Sequence, residues 1–122
     1  MRVLYANADV FTAEKRADLL ARIDDGEFHV VALTEIFPKS GADRNICESL
    51  LSFDGYEIFW PGPGLGGRGL AFLVRRDIPA WVEELGFRES SLLKLNFKGE
   101  IFAVGLFYRS PVTRIFRCSL LL

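Results

Sequence analysis

The stretch HVVALTEIF, His29 to Phe37, constrains this chain more than any other. Val30 to Glu35 is apolar, rich in β-branched residues and too short for a stable helix, so it reads as a buried β-strand. It ends on a carboxylate, Glu35, just before the break at Phe37-Pro38. Upstream, Arg2 to Asn7 is a second short run of strand formers. Between the two, Thr12 is a plausible N-cap, Ala17, Leu19, Leu20 and Ile23 form a helical apolar stripe, and Asp25-Gly26 stops the helix. A strand, a crossover helix and a strand imply two parallel neighbours in one sheet with a right-handed connection. Asn7 and Glu35 then both fall at C-terminal strand ends, the edge at which parallel sheets bind ligands.

The remainder of the chain predicts an antiparallel half. Phe37 to Asn45 reads as a loop and Ile46 to Leu51 as a short helix. Strands are predicted at Tyr56–Trp60, Gly69–Arg75, Ser91–Phe97 and Glu100–Arg109, with Lys98-Gly99 as the turn of a hairpin. The expected class is therefore α/β with a mixed sheet. The 122 residues suffice for one small domain, and half of them are hydrophobic, so core material is ample. The close, VTRIFRCSLLL, is apolar with no cap or turn. It predicts a chain that stops partway through a larger fold.

Charge and cysteine usage narrow the function classes. A net charge of -1 argues against nonspecific attraction to nucleic acid by bulk charge, while a local basic patch stays open. Two cysteines, Cys47 and Cys118, form no Cys-x-x-Cys pair and have no histidine nearby, which argues against a zinc site and a disulfide framework. An intracellular, reducing location fits, the nucleus included. No apolar run approaches the roughly 20 residues of a membrane span, so no membrane partner is expected.

Asn7 and Glu35 form the first constellation able to carry chemistry. An amide oxygen and a carboxylate at adjacent strand ends can share a hard divalent cation such as Mg²⁺, which takes one or two carboxylates and keeps its waters. Taken one at a time each reads better as an ordinary strand terminus; taken together, at the ligand-binding edge of a parallel pair, the two readings balance. The Gly-rich stretch PGPGLGGRG, Pro61 to Gly69, lacks the Gly-Lys-Ser/Thr ending of a phosphate loop and precedes a strand. It reads first as a hairpin connection, from which Arg68 could reach a phosphate. Tyr108 and Arg109 read on spacing alone as a strand terminus before Pro111. The lone histidine, His29, lies at the end of its strand opposite Glu35, so no histidine-based catalytic set can be assembled.

Four segments in order, YANADVFTAEKRADLLARI, VVALTEIF, GGRGLAFLVRR and VGLFYRSP, resemble the N-terminal part of the endonuclease/exonuclease/phosphatase (DNase I-like) superfamily. The likeness is greatest to the endonuclease domain of LINE-type (non-LTR) retrotransposon polyproteins, which also carry a reverse transcriptase, and it spans residues 5 to 111. The resemblance implies the N-terminal half of a two-sheet α/β sandwich over residues 1–111, with 112–122 an unrelated or truncated tail. It implies Mg²⁺-dependent (or Mn²⁺-dependent) phosphodiester cleavage, with DNA as the parent enzyme's partner. By this likeness Asn7 helps hold metal and phosphate, Glu35 is a metal ligand, and Tyr108 of a Tyr-Arg-x-Pro motif contacts phosphate beside Arg109.

The chain departs from the family pattern at Asp9 and Val10, where Arg and Ser are frequent, and at His29, where Asp is frequent. Nothing after Pro111 matches the family's Gly-Asp-x-Asn or Ser-Asp-His motifs, so the general base is missing and weak metal binding is expected. Asp9 and Asp43 are the only substitutes in view. Three readings follow: an inactive endonuclease fragment, a non-catalytic remnant or interaction module, and a fragment of a cellular phosphoesterase of the same superfamily. Half a sandwich would also leave the inner face of its sheet uncovered, which predicts self-association.

Overall fold

A computed structural model describes residues 1–38, 44–60, 69–83, 90–109 and 112–120. The chain opens as expected. Strand β1 (Val3–Asn7) leads into helix α1 (Ala13–Gly26), which returns to β2 (Val30–Thr34). Thr12 caps α1 with extended backbone, its hydroxyl accepting the Lys15 N–H at 3.3 Å. Leu19 and Ile23 form the buried stripe of the helix. The left-handed residue that closes it is Glu27, whose N–H donates to the Ile23 carbonyl, and not Gly26. β1 and β2 are parallel, in register from Val3 opposite Val30 to Asn7 opposite Thr34.

Helix α2 (Arg44–Ser49) and strands β3 (Tyr56–Phe59) and β4 (Leu70–Arg75) complete the first half. β4 lies antiparallel to both β2 and β3. This mixed sheet, sheet A, has the order β1-β2-β4-β3, so β1 is an edge strand. Sheet B is antiparallel, β5-β6-β7-β8, built from β5 (Ala80–Glu83), β6 (Ser90–Phe97), β7 (Glu100–Arg109) and β8 (Val112–Leu120). Lys98 and Gly99, both at positive φ, make a two-residue hairpin between Phe97 and Glu100. Two left-handed residues in succession match the twist of the flanking strands, which is why Gly serves there. The sequence predicts neither β5 nor β8. β5 is only four residues long and follows Pro79, and β8 follows Pro111, a residue that in sequence reads as the end of a ladder.

The layers follow from strand alternation. Val31, Leu33, Ala71 and Leu73 of sheet A face the helices and pack with Leu19, Ile23, Cys47 and Leu51. Val30, Ala32, Phe72 and Val74 face the other way, onto Leu93, Leu95, Val104 and Leu106 of sheet B. β2 and β4 are thus buried on both faces, which explains their unbroken apolar runs. The protein is α/β, with a helix layer, a mixed sheet and a second sheet. The expectation of an uncovered inner face is corrected here: the chain's own second half supplies the strands that cover it. Among the described residues no helix lies on the outer face of sheet B and no strand pairs with the outer edge of β1. Among the described residues no helix is long and apolar enough to cross a membrane.

Candidate functional site

The pairing of β1 with β2 does not stop where the strands do. Beyond Asn7 and Thr34 the two chains run on side by side. Ala8 N–H donates to the Thr34 carbonyl, Val10 N–H to Glu35 and Phe11 N–H to Ile36, each at 2.8 Å. Holding that path requires unusual backbone. Asp9, Val10 and Glu35 have φ of 41°, 69° and 52°. Left-handed backbone costs an L-residue about 1–2 kcal/mol, and a β-branched residue such as Val10 is a true outlier there. Such strain persists only where surrounding contacts over-determine it, and it gathers at functional sites. Here the contacts are visible. Asn7 Oδ1 accepts the Asp9 N–H at 3.1 Å, and Lys15 Nζ donates to the Ala8 and Asp9 carbonyls at 2.5 and 2.6 Å.

Side chains at this strand end divide by depth. Thr34 is fully buried, and its hydroxyl shares a 3.0 Å hydrogen bond with the Tyr5 phenol. Asn7 is exposed and Glu35 half-buried. An open groove of about 410 Å³ runs from Asn7 along the free side of β1 to α1, with Asp9, Lys15, Asp18 and Arg22 on its rim. Ser91, on β6, is buried with a hydroxyl that has no hydrogen-bond partner among the described residues.

The other predicted residues are placed by the sheet directions. His29 precedes β2, and its ring packs edge-on against Phe97 at the far end of β6, 4.6 Å between centroids. That contact puts the C-terminal end of β6 beside the N-terminal end of β2. The antiparallel β7 therefore ends, at Tyr108 and Arg109, on the same end of the sandwich as Asn7 and Glu35. This places their backbone only. Arg68 and Asp43 lie outside the described residues. The next residue after Arg68, Gly69, has φ 83° and lies where a Cβ would fall 2.5 Å from the Phe37 ring, so only glycine fits. His29 is at the opposite end from Glu35. Its Nδ1 accepts the Arg2 N–H at 2.9 Å, and burial, with the Arg75 charge next in size, holds its pKa below the ordinary 6.5.

The donor set at the strand end is one amide oxygen and one carboxylate, both hard ligands of the kind Mg²⁺ accepts alongside retained waters. Among the described residues no group of three or more His, Cys, Asp or Glu gathers in a metal cage. The residues thus fit part of a coordination shell, with Asn7 and Glu35 the two that would hold the ion. Lys15 and the part-buried Thr34–Tyr5 pair escape a reading of the sequence. Thr34 carries the one available signal, a hydroxyl inside an apolar strand that must find a partner. The chain matches no known family model, no curated protein and no solved structure.

Proposed function

We propose that this chain is the N-terminal half of a Mg²⁺-dependent phosphodiester-cleaving domain of the DNase I-like kind, related to non-LTR retrotransposon endonucleases and inactive by itself. The observation that carries this reading is the placement of Asn7 and Glu35 at the carboxyl ends of the parallel β1–β2 pair, Asn7 opposite Thr34 and Glu35 one residue beyond it, among three left-handed non-glycine residues. Tyr108 and Arg109, at the same end of the second sheet, are assigned to the phosphate, as is Arg68. Mg²⁺, when bound, neutralises phosphate charge and lowers the pKa of its water. Asn7 and Glu35 would hold the ion through an amide oxygen and a carboxylate. The family's histidine base has no counterpart here, since the lone His29 lies at the opposite end, and loss of a general base costs about 100- to 10,000-fold.

The test is binding without cleavage. A short DNA duplex is titrated with the chain by fluorescence anisotropy, with and without Mg²⁺. Weak binding that needs Mg²⁺ and is lost in Asn7→Ala and Glu35→Ala, with no nicking of supercoiled plasmid, is expected. Binding indifferent to Mg²⁺ and to both substitutions overturns the reading. A second reading, a non-catalytic interaction module, is favoured by a different observation: the open β1 edge and its groove, to which an extended segment could pair.

A further inference from the structure

Lys15 is in the wrong place for a helix. With Thr12 as N-cap it occupies the third helical position of α1, inside the first turn. A cation there opposes the helix dipole, and glutamate or glutamine is the residue that would complete a capping box. A local rule broken in this way calls for a gain elsewhere. The gain is at the ammonium. It does not extend into water, as lysines usually do. It turns back to the Ala8 and Asp9 carbonyls, which belong to the strained segment between β1 and α1.

We propose that Lys15 is a positioning residue for the strand-end site: by gripping the Ala8 and Asp9 carbonyls it holds the left-handed Asp9–Val10 turn, whose N–H groups in turn fix the Asn7 side chain and the Glu35 backbone. The inference rests on the proposed cation site. Its physical content is a chain of contacts. The ammonium fixes two successive carbonyls. The Asp9 N–H is fixed in turn by Asn7 Oδ1, and the Val10 N–H by the Glu35 carbonyl. Releasing the carbonyls lets Asp9 and Val10 relax toward ordinary φ, which breaks both of the last two bonds. Charge alone predicts the reverse. A lysine near a cation site repels the ion, so removing it should strengthen binding. The two effects have opposite signs, and one experiment separates them.

Mn²⁺ is titrated into isotope-labelled chain, reading the broadening of the Asn7 side-chain amide and the Glu35 N–H, with exchange protection at the Val10 N–H as a second readout. Lys15→Met keeps the aliphatic stem and removes the donor. It is expected to weaken Mn²⁺ binding by about tenfold, the low end of what losing an outer-sphere partner costs, and to lower protection at Val10. Lys15→Arg is expected to recover most of the affinity. Lys15→Gln, which can hold one carbonyl, should fall between and serves in place of Lys15→Met if that variant does not fold. Equal or tighter Mn²⁺ binding in these neutral variants overturns the positioning role and leaves the cation site standing. Failure of the unaltered chain to take Mn²⁺ at Asn7 and Glu35 overturns the site and the positioning role together.

Discussion

Glu35 sits at φ 52°, where glycine is at ease and a side chain is not. If its carboxylate is retained for a ligand, stability and function should separate there. Both Glu35→Gly and Glu35→Ala remove the carboxylate, but only alanine keeps the Cβ clash, about 1–2 kcal/mol. Glycine's extra unfolded-state entropy returns about 0.4–1 kcal/mol of that. Glu35→Gly is therefore predicted to be more stable than Glu35→Ala by about 0.5–1 kcal/mol in urea unfolding, with cation binding lost in both. His29 makes a second residue-scale prediction. Its folded pKa lies below 6.5, so the unfolded chain takes up the proton first. The contribution of His29 is fully present above 6.5 and declines as pH falls from there toward the folded pKa. Protonation at Nδ1 also ends its acceptance of the Arg2 N–H. Melting temperature should fall between pH 7 and 5.5, and less steeply in His29→Gln. At this scale Asn7 is legible in sequence as a strand end, whereas β2 stops at Thr34 and Glu35 stands one residue beyond it in left-handed backbone, which counting along the strand does not show. Lys15 is not legible, because its role depends on a side chain folding back seven residues to a carbonyl.

Single elements show where pattern reading succeeds and where it fails. The β1–α1–β2 unit is legible because cap, stripe and stop all agree. The Lys98-Gly99 hairpin is legible because its turn chemistry is local. β5 and β8 are not, since short or edge strands gain their stability from the neighbour they pair with and not from their own pattern. Gly26 is a further case. It reads as a helix stop, yet the left-handed cap is Glu27, and a Cβ on Gly26 would meet the Phe28 ring at 2.2 Å. Helix propensity alone favours Gly26→Ala by up to about 1 kcal/mol. Displacing Phe28, which packs on the helix-side core, should cost about 1–3 kcal/mol. Net destabilisation is predicted by urea unfolding, and a stabilised Gly26→Ala would show that Phe28 yields freely.

For the whole molecule the two sheets cover each other's inner faces through β6 and β7, which the sequence reading predicts as strands but places in the same mixed sheet as β1 and β2. A remaining liability among the described residues is an edge strand, β1, with neither charge nor proline from Val3 to Asn7; on the outer face of sheet B, Trp81 is 41% exposed but lies beside the Lys94–Glu83 ion pair. Unguarded edges and apolar faces associate. Sedimentation is predicted to show concentration-dependent self-association, and a monomer at all concentrations would mean that these surfaces are covered.

The central claim is that the carboxyl ends of β1 and β2 form half of a cation site. Mn²⁺ titration of the unaltered chain, followed residue by residue in NMR, tests it most directly. Broadening confined to Asn7–Val10 and Thr34–Ile36, weak, displaced by excess Mg²⁺ and lost in Glu35→Ala, is the predicted result. Broadening centred elsewhere, at the exposed Asp24-Asp25 pair for example, with Asn7 and Glu35 untouched, would contradict it.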